Sequence, residues 1–184
     1  LLELTSAYAT FLNDGIKVLP YGLEKLSLET GGSFSNRSRS SDTDRILRSE
    51  TAHNIVYMLE KAVSNGTGKK AKFPNWEIAG KTGTTQDARD AWFIGFTSEY
   101  IAGVWMGYDN NKPLNGVTGG GLPAEIWSLI MNKIHADIKP QPLPKNKRKL
   151  ALFPNIIDSE YQRQISQKGA GFIDKLLLTI FGEE

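Results

Sequence analysis

Trp76-Glu77-Ile78-Ala79-Gly80-Lys81-Thr82-Gly83-Thr84-Thr85 is the stretch that decides how this chain is read. It passes from bulky apolar residues into small and hydroxylated ones, and a strand is expected over it. Gly80-Lys81-Thr82 first raises a phosphate loop, because Gly-Lys-Thr closes that motif. The motif also needs a glycine five residues before Gly80, and Asn75 stands there. Trp76-Glu77-Ile78-Ala79 is too bulky to wrap phosphate oxygens with backbone N–H groups. That reading fails.

Taken as a strand, the stretch offers different chemistry. Alternation puts the hydroxyls of Thr82 and Thr84 on one side. Lys81 brings a mobile ammonium from the other side, and Gly83 lets a ligand or another backbone approach closely. If the strand borders a cleft, its outward N–H groups can donate to a ligand carbonyl. One lysine and two threonine hydroxyls then form a carboxylate receptor, with the Thr84 N–H placed for a developing oxyanion. Charge-assisted contacts of this kind contribute roughly 1.5–3 kcal/mol each when water is excluded.

On the C-terminal side, Ala91–Thr97 and Tyr100–Met106 also read as strands. Their short link, Ser98-Glu99, predicts a tight hairpin, so the three runs form an antiparallel meander. Pro123 to His135 reads as a helix with Ala124, Ile126, Trp127, Ile130, Met131 and Ile134 on its apolar side. On the N-terminal side, Ser49–Ser64 predicts a helix capped by Ser49, with a stripe of Ile55, Met58, Leu59, Ala62 and Val63. Leu1–Leu12 has helical spacing and stops at Asn13-Asp14-Gly15. Ser27–Asp44 reads as an exposed loop.

Asp137–Lys149 changes composition, with Pro140, Pro142, Pro144 and a run of cations, and reads as a linker. Leu150–Ile157 could lie back on the domain. Phe172, Ile173, Leu176, Leu177 and Ile180 give Gly171–Phe181 a short amphipathic helix. The organisation expected is therefore residues 1–135 as a domain part, and 136–184 as basic, Pro-rich linker plus terminal helix.

Composition narrows the function classes. The 184 residues carry 22 Lys and Arg against 20 Asp and Glu, and a net charge of +2 gives little bulk attraction to nucleic acid. The absence of cysteine excludes a disulfide scaffold, a thiolate zinc site and a cysteine nucleophile. Two isolated histidines cannot make a three-histidine metal site. No apolar run approaches the ~20 residues that a membrane helix needs. The chain lacks an initiator Met and opens inside an expected helix, so a piece of something longer is expected.

Lys81-Thr82-Gly83-Thr84 resembles the Lys-Thr-Gly box of the penicillin-recognising serine transpeptidases and β-lactamases. Its surroundings strengthen the likeness: Gly66-Thr67-Gly68, Asp90-Ala91-Trp92-Phe93-Ile94-Gly95-Phe96, Val104-Trp105-Met106-Gly107-Tyr108-Asp109 and Thr118-Gly119-Gly120. Upstream, Glu3–Ala9, Asn13-Asp14-Gly15 and Pro20-Tyr21 are similar too. Together, over about Leu1 to Ile134, they resemble a bifunctional (class A) penicillin-binding protein. The resemblance implies an α/β (α+β type) fold, a part of the penicillin-binding protein and serine β-lactamase architecture, whose antiparallel sheet packs with helices. In that family the sheet has five strands.

The resemblance also implies roles. Lys81 would keep the site electropositive and polarise a proton-relay serine. Thr82 and Thr84 would hold the carboxylate of a D-alanyl-D-alanine peptide or of a β-lactam, across Gly83. The Thr84 N–H would be half of an oxyanion hole, and Thr85 would be a neighbour without an assigned role. No cofactor and no metal are implied. The reaction would be D,D-transpeptidation: a serine ester forms with loss of D-alanine, and a second stem peptide attacks it to cross-link peptidoglycan. Placement at the periplasmic face of the bacterial inner membrane follows from the same likeness.

The nucleophile is missing. The family draws it from Ser-x-x-Lys, with Ser-x-Asn as second box, and no serine here has either pattern. Ser166-Gln167-Lys168 has its lysine one position too early. Both boxes would precede Leu1, on an N-terminal part that also bears the glycosyltransferase domain. The isolated chain is therefore expected to be inactive. The alternative is a non-catalytic module that keeps the penicillin fold to bind wall peptide or a protein partner.

Other residues favour plainer roles. Trp92, Phe93, Trp105, Ile126, Trp127 and Ile130 fit core packing of helix on sheet better than a ligand groove. Asp87, Arg89 and Asp90 fit a salt-bridged start to a hairpin. His53 and His135 suit surface or packing roles rather than catalysis. Lys145-Asn146-Lys147-Arg148-Lys149 reads as a solvated linker, and the terminal stripe as docking on the domain or a partner.

Overall fold

The computed structural model describes residues 1–23, 25–35 and 44–145. Leu1–Lys145 form one compact unit. Among the described residues there are three α-helices: α1 (Leu2–Leu12), α2 (Ser49–Ser64) and α3 (Leu122–Ile134). The strands are β1 (Lys25–Ser27), β2 (Ser33–Ser35), β3 (Ala79–Thr84), β4 (Asp90–Phe96) and β5 (Ile101–Gly107).

The last three strands form the expected antiparallel meander in the order β3-β4-β5. Thr82 lies opposite Phe93, and Phe93 opposite Val104. The β4–β5 hairpin turns around Ser98-Glu99, where the Thr97 N–H donates to the Tyr100 carbonyl at 3.0 Å. The buried Thr97 hydroxyl accepts the N–H groups of Glu99 and Tyr100 and meets His135 Nε2 at 2.8 Å. His135 is thereby a packing residue, with its ring edge-on to Trp76.

Each face of the sheet carries its own apolar cluster. On the Phe93 face, α3 lays Trp127, fully buried, edge-on to Phe93 at 5.3 Å between ring centroids. Its indole N–H donates to the Ala102 carbonyl at 3.0 Å. Gly95 makes this seat, because a Cβ there would come within 3.0 Å of the indole. On the opposite face, Ala79 and Phe96 pack with Val56, Leu59 and Leu143, flanked by Tyr8 and Phe11 of α1.

The two clusters correct the expected face of α2. Its buried residues are Ala52, Val56, Leu59 and Val63, while Met58 is 60% exposed. Val56 and Leu59 enter one cluster and Val63 the other, so the helix presents a rotated stripe. Leu59 and Val63 belong to both stripes, and Ala52 and Val56 replace Met58 and Ala62 on the buried side. Ser49 is also not the cap. Arg48 holds that position, and the Ser49 hydroxyl instead donates to the Asp14 carboxylate.

Asp14 organises the α1–α2 junction from a left-handed backbone conformation, φ 57°. Its carboxylate also meets Arg45 and His53 Nε2, each at 3.0 Å. The hydrogen bonds from Ser49 and Arg45 hold its pKa below the ordinary carboxylate value.

Three further differences are local. β1 and β2 form a short hairpin, with Leu26 opposite Phe34, so Ser27 and Ser33–Ser35 are strand where the Ser27–Asp44 stretch was expected to be loop. Trp105 and Ile130 remain 40% and 49% exposed and stand outside both buried clusters. The segment from Asp137 packs as far as Lys145: Leu143 is buried, its N–H donates to Glu77, and Lys145 pairs with Glu77 at 2.9 Å. The expected elements over Leu150–Ile157 and Gly171–Phe181 lie outside the described residues. Among the described residues no helix is long and apolar enough to cross a membrane.

Candidate active site

Register determines which way the β3 groups point. The Thr85 N–H donates to the Asp90 carbonyl at 3.1 Å, and the Asp90 N–H donates to Thr85 Oγ1 at 2.8 Å. In an antiparallel ladder, hydrogen-bonded pairs alternate with pairs whose N–H and C=O groups point outward. Counting back from Thr85, Gly83 and Lys81 direct their backbone groups toward β4. Thr84 and Thr82 direct theirs toward the other edge of β3, which pairs with no strand among the described residues.

That outward edge gathers the polar groups. Lys81 is exposed, and its ammonium donates to the outward carbonyl of Thr82 at 2.6 Å. Among the described residues it joins no ion pair, so its charge stays available at the edge. Thr82 is half-buried, with Oγ1 2.8 Å from the hydroxyl of Thr67. Thr84 is exposed and its Oγ1 accepts the Gly119 N–H at 3.0 Å.

Two loops hold these threonines. Gly119 presses on the strand so closely that a Cβ would lie 2.4 Å from the Gly83 carbonyl oxygen and 2.3 Å from that of Trp92. Gly120 meets the other loop, where a Cβ would lie 2.3 Å from the Thr67 carbonyl oxygen. The Gly68 N–H anchors that second loop to the Ala62 carbonyl of α2 at 2.9 Å.

Lys81, Thr82, Gly83 and Thr84 therefore come together as one strand edge. Thr85 does not share it, since its hydroxyl is engaged with Asp90 in the turn between β3 and β4. That turn is strained: Asp87 and Ala88 have φ of 59° and 51°, a region costly for residues with a Cβ. Arg89 steadies it through Asp87 and the Asn111 carbonyl, as the charged start to the hairpin suggested.

Sequence reasoning missed Thr67 and Gly119 as members of the site. Gly66-Thr67-Gly68 and Thr118-Gly119-Gly120 stood out only as stretches of the family likeness. Among the described residues no His, Cys, Asp or Glu group is arranged to hold a metal ion. Chemically, the edge offers a cation, two hydroxyls and outward N–H groups to an anionic, carbonyl-bearing ligand.

Residues 1–132 match the family described as the penicillin binding protein transpeptidase domain. The chain belongs to this transpeptidase family. Penicillin-binding protein 1A of Aquifex aeolicus is 35% identical over 134 residues, covering 72% of this chain and 18% of that protein. The chain thus spans less than a fifth of that relative's length. The structure of PonA1 from Mycobacterium tuberculosis with penicillin V superposes at a TM-score of 0.70 with 26% identity, covering 79% of this chain and 41% of that one. Penicillin-binding protein 1A from Haemophilus influenzae gives 0.64 with 26% identity, over 77% of this chain and 27% of that one. The meander with its helices is a portion of the penicillin-binding transpeptidase fold.

Proposed function

We propose that this chain forms one wall of a peptidoglycan D,D-transpeptidase site. Lys81 keeps that wall positive beside a serine supplied by a part of the enzyme bearing Ser-x-x-Lys. Thr82 and Thr84 hold the carboxylate of a D-alanyl-D-alanine stem peptide or of a β-lactam. The outward Thr84 N–H donates to the oxyanion as the serine attacks and D-alanine leaves. An amine of a second stem peptide then takes the acyl group from the serine and closes the cross-link. The enzyme works at the periplasmic face of the inner membrane, in one protein with a glycosyltransferase domain.

The observation that carries this reading is the Lys81 ammonium on the outward edge of β3, flanked by the two hydroxyls within the family match. The complex of PonA1 with penicillin V supports the ligand class.

The test is acylation by a fluorescent penicillin of the assembled transpeptidase, this chain together with the Ser-x-x-Lys part. Lys81→Met should slow acylation by about 10²–10³-fold, the usual cost of one preorganised electrostatic group at an acyl-transfer centre. The chain by itself should form no adduct. A labelled serine within this chain, or an unchanged rate in Lys81→Met, would refute the reading.

A further inference from the structure

The two hydroxyls on β3 differ in what satisfies them. Thr84 Oγ1 accepts from the Gly119 N–H, a group that can only donate. The hydroxyl proton of Thr84 is left to point at a ligand. Thr82 Oγ1 faces another hydroxyl, Thr67 Oγ1, at 2.8 Å, where either oxygen can be the donor. If Thr82 donates to Thr67, its only proton is spent inside the protein and its lone pairs face the ligand. An anion would then meet one donor and one repulsive oxygen. If Thr67 donates, both β3 threonines turn their protons outward, and one carboxylate accepts both.

Thr67 is well placed to impose the second arrangement. It sits in the loop that the Gly68–Ala62 hydrogen bond ties to the end of α2. On its other side the Gly120 backbone packs against its carbonyl, too closely for any side chain. The loop that brings Thr67 to Thr82 is thus wedged against the one that brings Gly119 to Thr84. We propose that Thr67 is a positioning residue whose hydroxyl donates to Thr82, turning the Thr82 proton toward the anionic end of the ligand. This inference rests on the transpeptidase reading above and adds to it the residue that sets the polarity of the receptor.

The experiment compares Thr67→Val, which keeps shape and loses the donor, with Thr67→Ser, which keeps the donor. Both are made in the assembled transpeptidase. The probes are a fluorescent penicillin with a free carboxylate and its carboxylate methyl ester, each followed to its second-order acylation rate constant. Thr67→Val should slow the free acid about tenfold relative to the ester, and Thr67→Ser should return that ratio to within about twofold of the parent. The loss should fall on binding before the covalent step, leaving the saturating acylation rate unchanged. An unchanged ratio in Thr67→Val overturns the inference, as does a Thr67→Ser variant no better than the valine. A parent that no penicillin acylates overturns the transpeptidase reading, and the role of Thr67 with it.

Discussion

Gly119→Ala is the sharpest perturbation of this architecture. A Cβ at position 119 would stand 2.3 Å from the Trp92 carbonyl oxygen, 2.4 Å from that of Gly83 and 2.8 Å from the Gly83 nitrogen. All three atoms are backbone in the paired strands β3 and β4, so none can rotate away. The loop must lift off the sheet instead. Overpacking of this kind costs about 1–3 kcal/mol. Lifting the loop also breaks the 3.0 Å bond from the Gly119 N–H to Thr84, worth about 1 kcal/mol. The sum is roughly 2–4 kcal/mol. With a urea m-value of about 2 kcal/mol/M, the midpoint should fall by about 1–2 M. Urea unfolding of the intact polypeptide, followed by tryptophan fluorescence, measures it. Gly22→Ala is the control, because nothing lies within 4 Å of a Cβ there. Coincident midpoints for the two variants would refute the close approach of the 118–121 loop to β3.

Two further outcomes follow from the packing and the charges. Hydrogen bonds from Ser49 and Arg45 depress the Asp14 pKa in the folded state below its ordinary 3.8, so its contribution to stability is complete above that value. It is lost as pH falls through the depressed pKa, so the advantage in melting temperature of the parent over Asp14→Asn should shrink in that acid window. A constant difference down to about pH 2 would contradict the assignment. Trp127→Ala should cost about 3–5 kcal/mol by thermal or urea unfolding, as for other fully buried aromatics. Trp127→Phe should cost less, about 1–3 kcal/mol, because it keeps a ring but leaves the Ala102 carbonyl without its donor.

The elements most legible in the sequence are those whose signals are local. The β4–β5 hairpin was readable from two apolar runs and a two-residue polar link. The α2 span, Ser49–Ser64, ends where Asn65-Gly66 stops a helical pattern. Rotation of that helix was not readable. Its residues serve two clusters on opposite faces of the sheet, and a single-stripe pattern assumes one. The proline-rich composition after Asp137 likewise hid Leu143, whose burial depends on an apolar slot built from Phe96, Val56 and Leu59.

The proposed receptor divides in the same way. Strand alternation by itself determines that Thr82 and Thr84 share a side and that Lys81 takes the other, because the two-residue period is a property of the extended backbone. Family membership, too, was readable from the Lys81–Thr84 box and its flanking motifs. Only the tertiary structure decides what holds the two hydroxyls, since their partners Thr67 and Gly119 lie 15 and 35 residues away along the chain. Glycines make those approaches possible, but a missing Cβ says only that something can come near. What comes near is settled when α2, the sheet and α3 pack and bring their connecting loops against one strand edge.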